Sequence, residues 1–382
     1  MSKKALIVTR VSGFVPQFEM NNVNILKDMG YEIHYAANYE AVVYGKDNKR
    51  LMNTGIKRHH IPFVRSPFSR EVVSCYKRLK QLMLQEEFDL IHCHMPMTGV
   101  LARQAAKAVY KKTNRKIPVL YTAHGFHFYK GAPLGNWMYY FLEKYYARFT
   151  DRLILINEED FQRGKKFKVR GKVEHIPGIG MKPLGDMEEG FDVHQAYNIP
   201  KENKIVVSVG ELTTRKNHET VIKAMDWFRK DPVTYIICGT GPLQGTLEKM
   251  VQEMHLEKKV IFAGYCTNVS DILRQADIFA FPSKQEGLPV AVMEAMQAGL
   301  PVLALNIRGN NELIRDGLGG FLFDEDLVED YVRGIHYFLM YPDEGERMGK
   351  CNKENVQKFS IEHVDKEMRR IYAEVEREAL HG

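Results

Sequence analysis

Residues 278–305, IFAFPSKQEGLPVAVMEAMQAGLPVLAL, read as strand, loop, helix, loop and strand. Residues 278–281 form an apolar run short enough for a buried parallel strand, and Pro282 cannot continue a ladder. After a loop holding Glu286, Gly287, Leu288 and Pro289, residues Val292, Ala295 and Met296 recur at helical spacing. Gly299 and Pro301 close that helix, and residues 301–305 read as the next strand.

Two carboxylates sit in this unit. Glu286 lies where the helix begins, and Glu294 follows eight residues later, roughly two turns at about 3.6 residues per turn. A helix N-terminus offers unpaired N–H groups and partial positive charge, whereas ionised carboxylates only accept hydrogen bonds. The pair therefore suits sugar and ribose hydroxyls rather than phosphates. Taken alone, the two are as readily an N-terminal charge and a solvated-face residue.

The segment from Ser283 to Val302 fits S-x-x-E-G-x-P-x-x-x-x-E-A-x-x-x-G-x-P-V. It resembles the donor-site signature of glycosyltransferase family 4, retaining enzymes of the GT-B fold. The resemblance implies an α/β chain of two Rossmann-like, doubly wound domains facing each other across a cleft. Residues 1–182 would be the acceptor-side domain and 183–359 the nucleotide-sugar domain. A charged amphipathic helix within 360–382 would cross back onto the first. By the same resemblance Glu286 contacts the donor sugar and Glu294 the ribose, with Gly287, Leu288 and Pro289 in the donor loop.

Length agrees: 382 residues exceed one ordinary core and suit two domains of roughly 150 to 200 residues. No apolar run reaches about 18 residues, and the start, MSKKALIVTR, has no secretory pattern. Cys75, Cys93, Cys238, Cys266 and Cys351 are scattered and form no CxxC pair, as expected of a reducing cytoplasm without a zinc site. The net charge of +6 is uneven: residues 1–190 carry 31 Lys+Arg against 18 Asp+Glu, and the remainder 23 against 30. Lys107, Lys111, Lys112, Arg115 and Lys116 form one basic cluster; Lys165, Lys166, Lys168, Arg170 and Lys172 form another. Such clusters can attract an anionic bilayer or a pyrophosphate-bearing acceptor, and can equally be solvated helix ends. They lack the interleaved aromatics of a nucleic-acid surface.

In chain order, strands are expected at 5–9, 32–37, 89–94, 118–122, 152–156 and 173–176, then at 204–209, 234–238, 260–262 and 320–323. Gly13 of VSGFVP matches the family's phosphate-approaching loop. His92 and His94 alternate and share one face of their strand; no further ligand completes a metal set, so His94 is given a structural or acceptor-cleft role. After the fifth strand, TAHGFHFYKG carries His124, which matches the family's sugar-facing histidine, with His127 as a second candidate beside Tyr129 and Lys130. The aromatic helix at 137–149 is expected to be core.

In the second half, GELTTRKN aligns with the family's G-R-L followed by a lysine. Lys216 matches the lysine; Glu211 stands at the arginine position, and Arg215 could restore the second cation. Gly239, Gly241 and Pro242 of GTGPL match the turn beside the nucleotide. Asp324, Glu325 and Asp326 form a DxD triplet, but after the last strand and away from the donor loops.

The implied activity is retaining transfer of a hexose or N-acetylhexosamine from a nucleotide sugar, UDP-sugar favoured, to a glycan acceptor. A lipid-linked intermediate of bacterial capsular or exopolysaccharide synthesis is suggested by IHCHMP, TAHGFHFYKG and RGNNELI. Glu286, Lys216 and His124 are the catalytic candidates, with no metal or other cofactor expected. The expected location is cytoplasmic, with peripheral contact at the inner face of an anionic membrane. The alternatives are a catalytically silent GT-B partner subunit and a sugar-nucleotide epimerase of the same architecture.

Overall fold

The computed structural model describes residues 3–45, 47–129 and 131–381. Lys130 lies outside the described residues. Its contacts divide the chain into two units, Met1–Gly180 with Ile361–Gly382, and Met181–Ser360.

Among the described residues, the first unit contains β1 (Lys3–Val11), β2 (Tyr31–Asn38), β3 (Lys57–His60), β4 (Leu90–His94), β5 (Val119–Ala123), β6 (Arg152–Leu155) and β7 (Lys172–His175). They pair in parallel in the order β3-β2-β1-β4-β5-β6-β7. The second unit contains β8 (Lys204–Val209), β9 (Val233–Cys238), β10 (Val260–Gly264), β11 (Ile278–Phe281), β12 (Val302–Leu305) and β13 (Gly320–Phe323), in the parallel order β10-β9-β8-β11-β12-β13. Helices covering both faces explain why IFAF and VLAL are apolar throughout and, with VTYIIC, wholly buried. In each sheet the order reverses beside the first strand, β1 between β2 and β4, and β8 between β9 and β11. Ligands of open parallel sheets bind at the carboxyl ends of strands at such a reversal.

The C-terminal helix, Ile361–His381, packs within the first unit. Val364, Met368, Ile371, Tyr372 and Val375 recur at helical spacing and are buried. Fully burying such a side chain stabilises the fold by about 1.5–3 kcal/mol. Polar ties fix the register: Tyr372 Oη lies 2.8 Å from His92 Nδ1, Arg369 donates to Asp28 at 2.9 Å, and buried Arg152 donates to Glu378 at 2.6 Å.

Three local expectations need correction. The KRHH edge strand β3 has no apolar pattern because its side chains are largely exposed. Residues 10–16 read in the sequence as a loop after β1, whereas a π-helical turn, Val15–Glu19, leads directly into the helix Met20–Asp28. The aromatic segment is an α-helix, Trp137–Tyr146, followed by a 3₁₀ turn, Ala147–Phe149, and only one side is core. Trp137, Tyr139 and Tyr140 pack inward while Phe141 is 68% exposed.

Candidate active site

At the carboxyl ends of β8 and β11, two loops meet around one carboxylate. Arg215 Nη1 lies 2.7 Å and Lys216 Nζ 2.8 Å from Glu286 Oε1, and Ser283 Oγ donates to the same oxygen at 2.6 Å. Arg215 also donates to the Gln285 carbonyl at 2.8 Å, and Arg308 Nε to the Glu286 carbonyl at 3.2 Å. Lys216 and Glu286 side chains are 12% and 10% exposed, whereas Arg215 is 43% exposed. The Lys216 ammonium also stands 4.5 Å from the Phe281 ring centroid. Burial holds its pKa below the ordinary lysine value, against the pull of Glu286. One carboxylate against two cations leaves a positive charge at the end of the sheet. Glu211 is exposed, and its negative charge adds a smaller pull on Lys216.

Glu294 projects from the helix Val290–Ala298, which Pro289 caps. It is partly buried, and burial pushes its carboxyl up to about 7. No hydrogen bond or ion pair reaches it among the described residues. A carboxyl so placed is short of partners, and ligand hydroxyls would supply them. Leu288 is buried below the loop. Gly287 lies against Gly309, where an added Cβ would stand 2.4 Å from the Gly287 carbonyl oxygen.

The β9 turn is glycine-rich because backbone presses on backbone. A Cβ on Gly239 would stand 1.9 Å from Gly210 O, and its φ of 153° also disfavours a side chain. A Cβ on Gly241 would stand 2.6 Å from Leu212 N and O. Leu212 N–H donates to Thr240 O, and Leu243 N–H to Leu212 O, both at 3.0 Å. These glycines thus seat the β9 turn against the Lys216 loop, and Pro242 is exposed at its tip. Contrary to the expectation from its place after the last strand, the DxD triplet is not away from the donor loops: Asp326 braces the Lys216 loop, accepting from Asn217 at 2.9 Å and Thr220 at 3.0 Å, and pairs with Lys284 at 2.9 Å. Asp324 accepts from Asn306 at 2.8 Å, so both aspartates of the DxD triplet have protein partners.

In the first unit, the ends of β1, β4 and β5 assemble a different cluster. Glu19 Oε1 lies 3.5 Å from His94 Nδ1 and 3.4 Å from His124 Nε2, and those nitrogens are 3.1 Å apart. Asn22 Nδ2 donates to Glu19 Oε2 at 2.6 Å, and the Phe14 ring packs on both imidazoles. Glu19 is 1% exposed; burial pushes its carboxyl up to about 8, and pushes His124 down to about 4. Near neutral pH His124 is therefore an uncharged imidazole with its side chain 23% exposed. His94, expected in a structural or acceptor-cleft role, is fully buried beneath it. His92 is spoken for by Tyr372 and by Thr122 Oγ1, both at 2.8 Å. The His127 ring lies tilted at 33° against Tyr139, with centroids 4.8 Å apart. Gly13 is also corrected: its N–H donates to Val42 O at 3.1 Å, and a Cβ would meet that oxygen at 2.4 Å. It shapes the loop and keeps no N–H for a phosphate.

Glu19, Ser283 and Arg308 were not singled out from the sequence. Ser283 stands within the signature and could have been; Glu19 and Arg308 reach their partners only through the fold.

Family models match a segment of each unit. The Glycosyl transferases group 1 model matches residues 191–355, and the Glycosyltransferase Family 4 model residues 23–178. EpsD of Bacillus subtilis (strain 168) is 32% identical over 382 residues, covering 98% of this chain and 97% of that one. The UDP-Gal:alpha-D-GlcNAc-diphosphoundecaprenol alpha-1,3-galactosyltransferase of Escherichia coli is 30% identical over 280 residues, 70% of this chain and 69% of its own. The crystal structure of Anabaena Alr3699/HepE in complex with UDP and glucose superposes with a TM-score of 0.77 at 16% identity, covering 97% of this chain and 100% of that one. The chain is therefore a glycosyltransferase of the GT-B fold and belongs to family 4.

Proposed function

We propose that this enzyme moves a hexose or N-acetylhexosamine from a UDP-sugar to a glycan acceptor with retention of anomeric configuration. The acceptor is a lipid-linked intermediate of bacterial capsular or exopolysaccharide synthesis. The observation that carries the reading is the convergence of Arg215 and Lys216 on one oxygen of Glu286 at the switch point of the second sheet. Two fixed cations there suit a diphosphate, with Glu286 as the internal anion that holds them until one arrives.

When the donor binds, its phosphates take the cations and Glu286 is released to accept hydrogen bonds from sugar hydroxyls. As the bond between the anomeric carbon and the diphosphate oxygen breaks, charge grows on the departing phosphate. A buried ammonium counters that charge more strongly than it would in water. The phosphate oxygen takes the proton of the acceptor hydroxyl, and the new C–O bond forms on the face the diphosphate left. The fixed cations do this work, so the scheme uses no metal. Glu294 receives the ribose hydroxyls.

Two likenesses support the choice of substrates: the Anabaena structure holds UDP and glucose, and the E. coli relative is named for a UDP-Gal donor and a diphosphoundecaprenol acceptor. No described helix is long and apolar enough to cross a membrane. A lipid-linked acceptor calls for peripheral contact with a membrane, and we place the enzyme at the inner, cytoplasmic face. The test is nucleotide release with and without acceptor, with the product's anomeric configuration read by NMR. Acceptor-dependent release with a retained anomer is expected. Sugar isomerisation without acceptor would instead assign an epimerase, and an inverted product would remove the same-face mechanism.

A further inference from the structure

We propose that Glu19, His94 and His124 are the protein ligands of a zinc ion at the carboxyl ends of the first sheet's central strands. The three residues lie in one unit, and binding there does not depend on the donor chemistry proposed above.

The side chains come from separate stretches of the chain. Glu19 ends the π-helical turn after β1, His94 is the last residue of β4, and His124 follows β5. The strand order β1-β4-β5 sets these ends side by side, so the fold supplies ligands that neither histidine has nearby in the sequence.

Glu19 Oε1 is 3.5 Å from His94 Nδ1 and 3.4 Å from His124 Nε2, and the two nitrogens are 3.1 Å apart. Bonds of about 2.0–2.1 Å to one tetrahedral ion hold its ligands about 3.3–3.4 Å apart, whereas octahedral bonds of that length hold neighbours about 2.9 Å apart. The triangle suits zinc with two imidazoles and one carboxylate, and a fourth position remains for water. Hydrogen bonding explains the triangle less well: the histidine pair is within ordinary range, but the carboxylate oxygen stands beyond about 3.2 Å from both nitrogens.

The surroundings support the same reading. Asn22 Nδ2 donates to Glu19 Oε2 at 2.6 Å, which leaves Oε1 as the oxygen facing the imidazoles and orients the carboxylate as a single-oxygen ligand. The Phe14 ring shields both imidazoles, with centroids 5.5 Å from His94 and 5.0 Å from His124. His94 is fully buried, and its Nε2 makes no hydrogen bond among the described residues, so its polar contacts are confined to this triangle. A buried ring so short of partners is one a ligand completes. Glu19, His92 and His94 also offer ligand atoms within 4.8 Å of one another, but both His92 nitrogens are held at 2.8 Å by Tyr372 and Thr122. The partly exposed His124 gives an ion its way in from solvent.

Full-length protein, stripped with EDTA and exchanged into metal-free buffer, is titrated with zinc chloride against a chromogenic chelator. One equivalent should bind with submicromolar Kd and raise the melting temperature. Cobalt(II) in place of zinc should give the intense visible absorption of a four-coordinate ion. Glu19→Gln and His124→Gln should each weaken zinc binding by about 100-fold. C266S/C351S, which removes the two partly exposed thiols, should bind as wild type. The ligand variants leave buried His94 in place, and far-UV circular dichroism with cooperative thermal unfolding verifies that they fold. No bound zinc, binding that survives both ligand substitutions or is lost in C266S/C351S, or the weak absorption of six-coordinate cobalt would overturn the proposal.

Discussion

Replacing Glu294 with glutamine tests the donor site through stability as well as binding. The carboxyl is held at about 7 in the folded chain against an ordinary 4.5. A group raised in this way favours folding below about pH 4.5 and loses that advantage as pH rises towards 7. A shift of about 2.5 units, at about 1.36 kcal/mol per unit, gives an upper bound of about 3.4 kcal/mol above pH 7. Glutamine keeps the shape and removes the ionisation. Glu294→Gln should therefore be more stable than wild type in alkali, its advantage growing by about 2 kcal/mol between about pH 5.5 and about pH 8.5. Urea midpoints of both proteins at the two pH values measure this, and the pairwise difference removes whatever the rest of the chain contributes. The same variant should bind nucleotide more weakly, since an amide cannot replace both acceptor oxygens for a ribose diol. Wild-type nucleotide affinity should rise with pH up to about 7, because hydroxyl donors favour the ionised carboxylate. A stability difference independent of pH, or unchanged nucleotide affinity, would refute the assignment.

Glu286→Gln should abolish transfer while nucleotide affinity, measured by calorimetry, stays within a few fold. Lys216→Ala should lower kcat by about 100-fold and weaken diphosphate binding far more than nucleoside binding; equal losses would undo its role. Glu19→Ala should lower kcat by about tenfold with little change in donor affinity by freeing the His94–His124 pair, and Glu19→Gln should recover most of it. Gly241→Ala forces a Cβ to 2.6 Å from the Leu212 backbone; it should lower the melting temperature and, by displacing the Lys216 loop, nucleotide affinity with it.

Most of the sheets was legible because strands buried on both faces need continuous apolar runs: IVV of KIVVSV and all of IFAF leave little choice. β3 was not, since an exposed edge strand places no hydrophobic demand on KRHH. The Lys216–Glu286 contact spans 70 residues, and nothing local in either loop announces the other. The family resemblance named both residues; the fold joined them and set Arg215 on the same oxygen. The glycine turns were visible, but their cause was not: Gly13, Gly239 and Gly241 each press on the chain's own backbone. Glu19 is a lone carboxylate in VPQFE, and its burial between two histidines depends on three strand ends meeting.

The most direct test of the central claim is thermal stabilisation by UDP, GDP, ADP and their sugar conjugates, compared between wild type and Lys216→Ala. A ligand bound only by the folded state, at about 100 times its Kd, adds about 2.7 kcal/mol. The account predicts a shift with UDP and a UDP-sugar that Lys216→Ala largely abolishes. An equal shift in the two proteins, or none with any nucleotide in folded samples, would contradict a donor site built on Lys216 and Glu286.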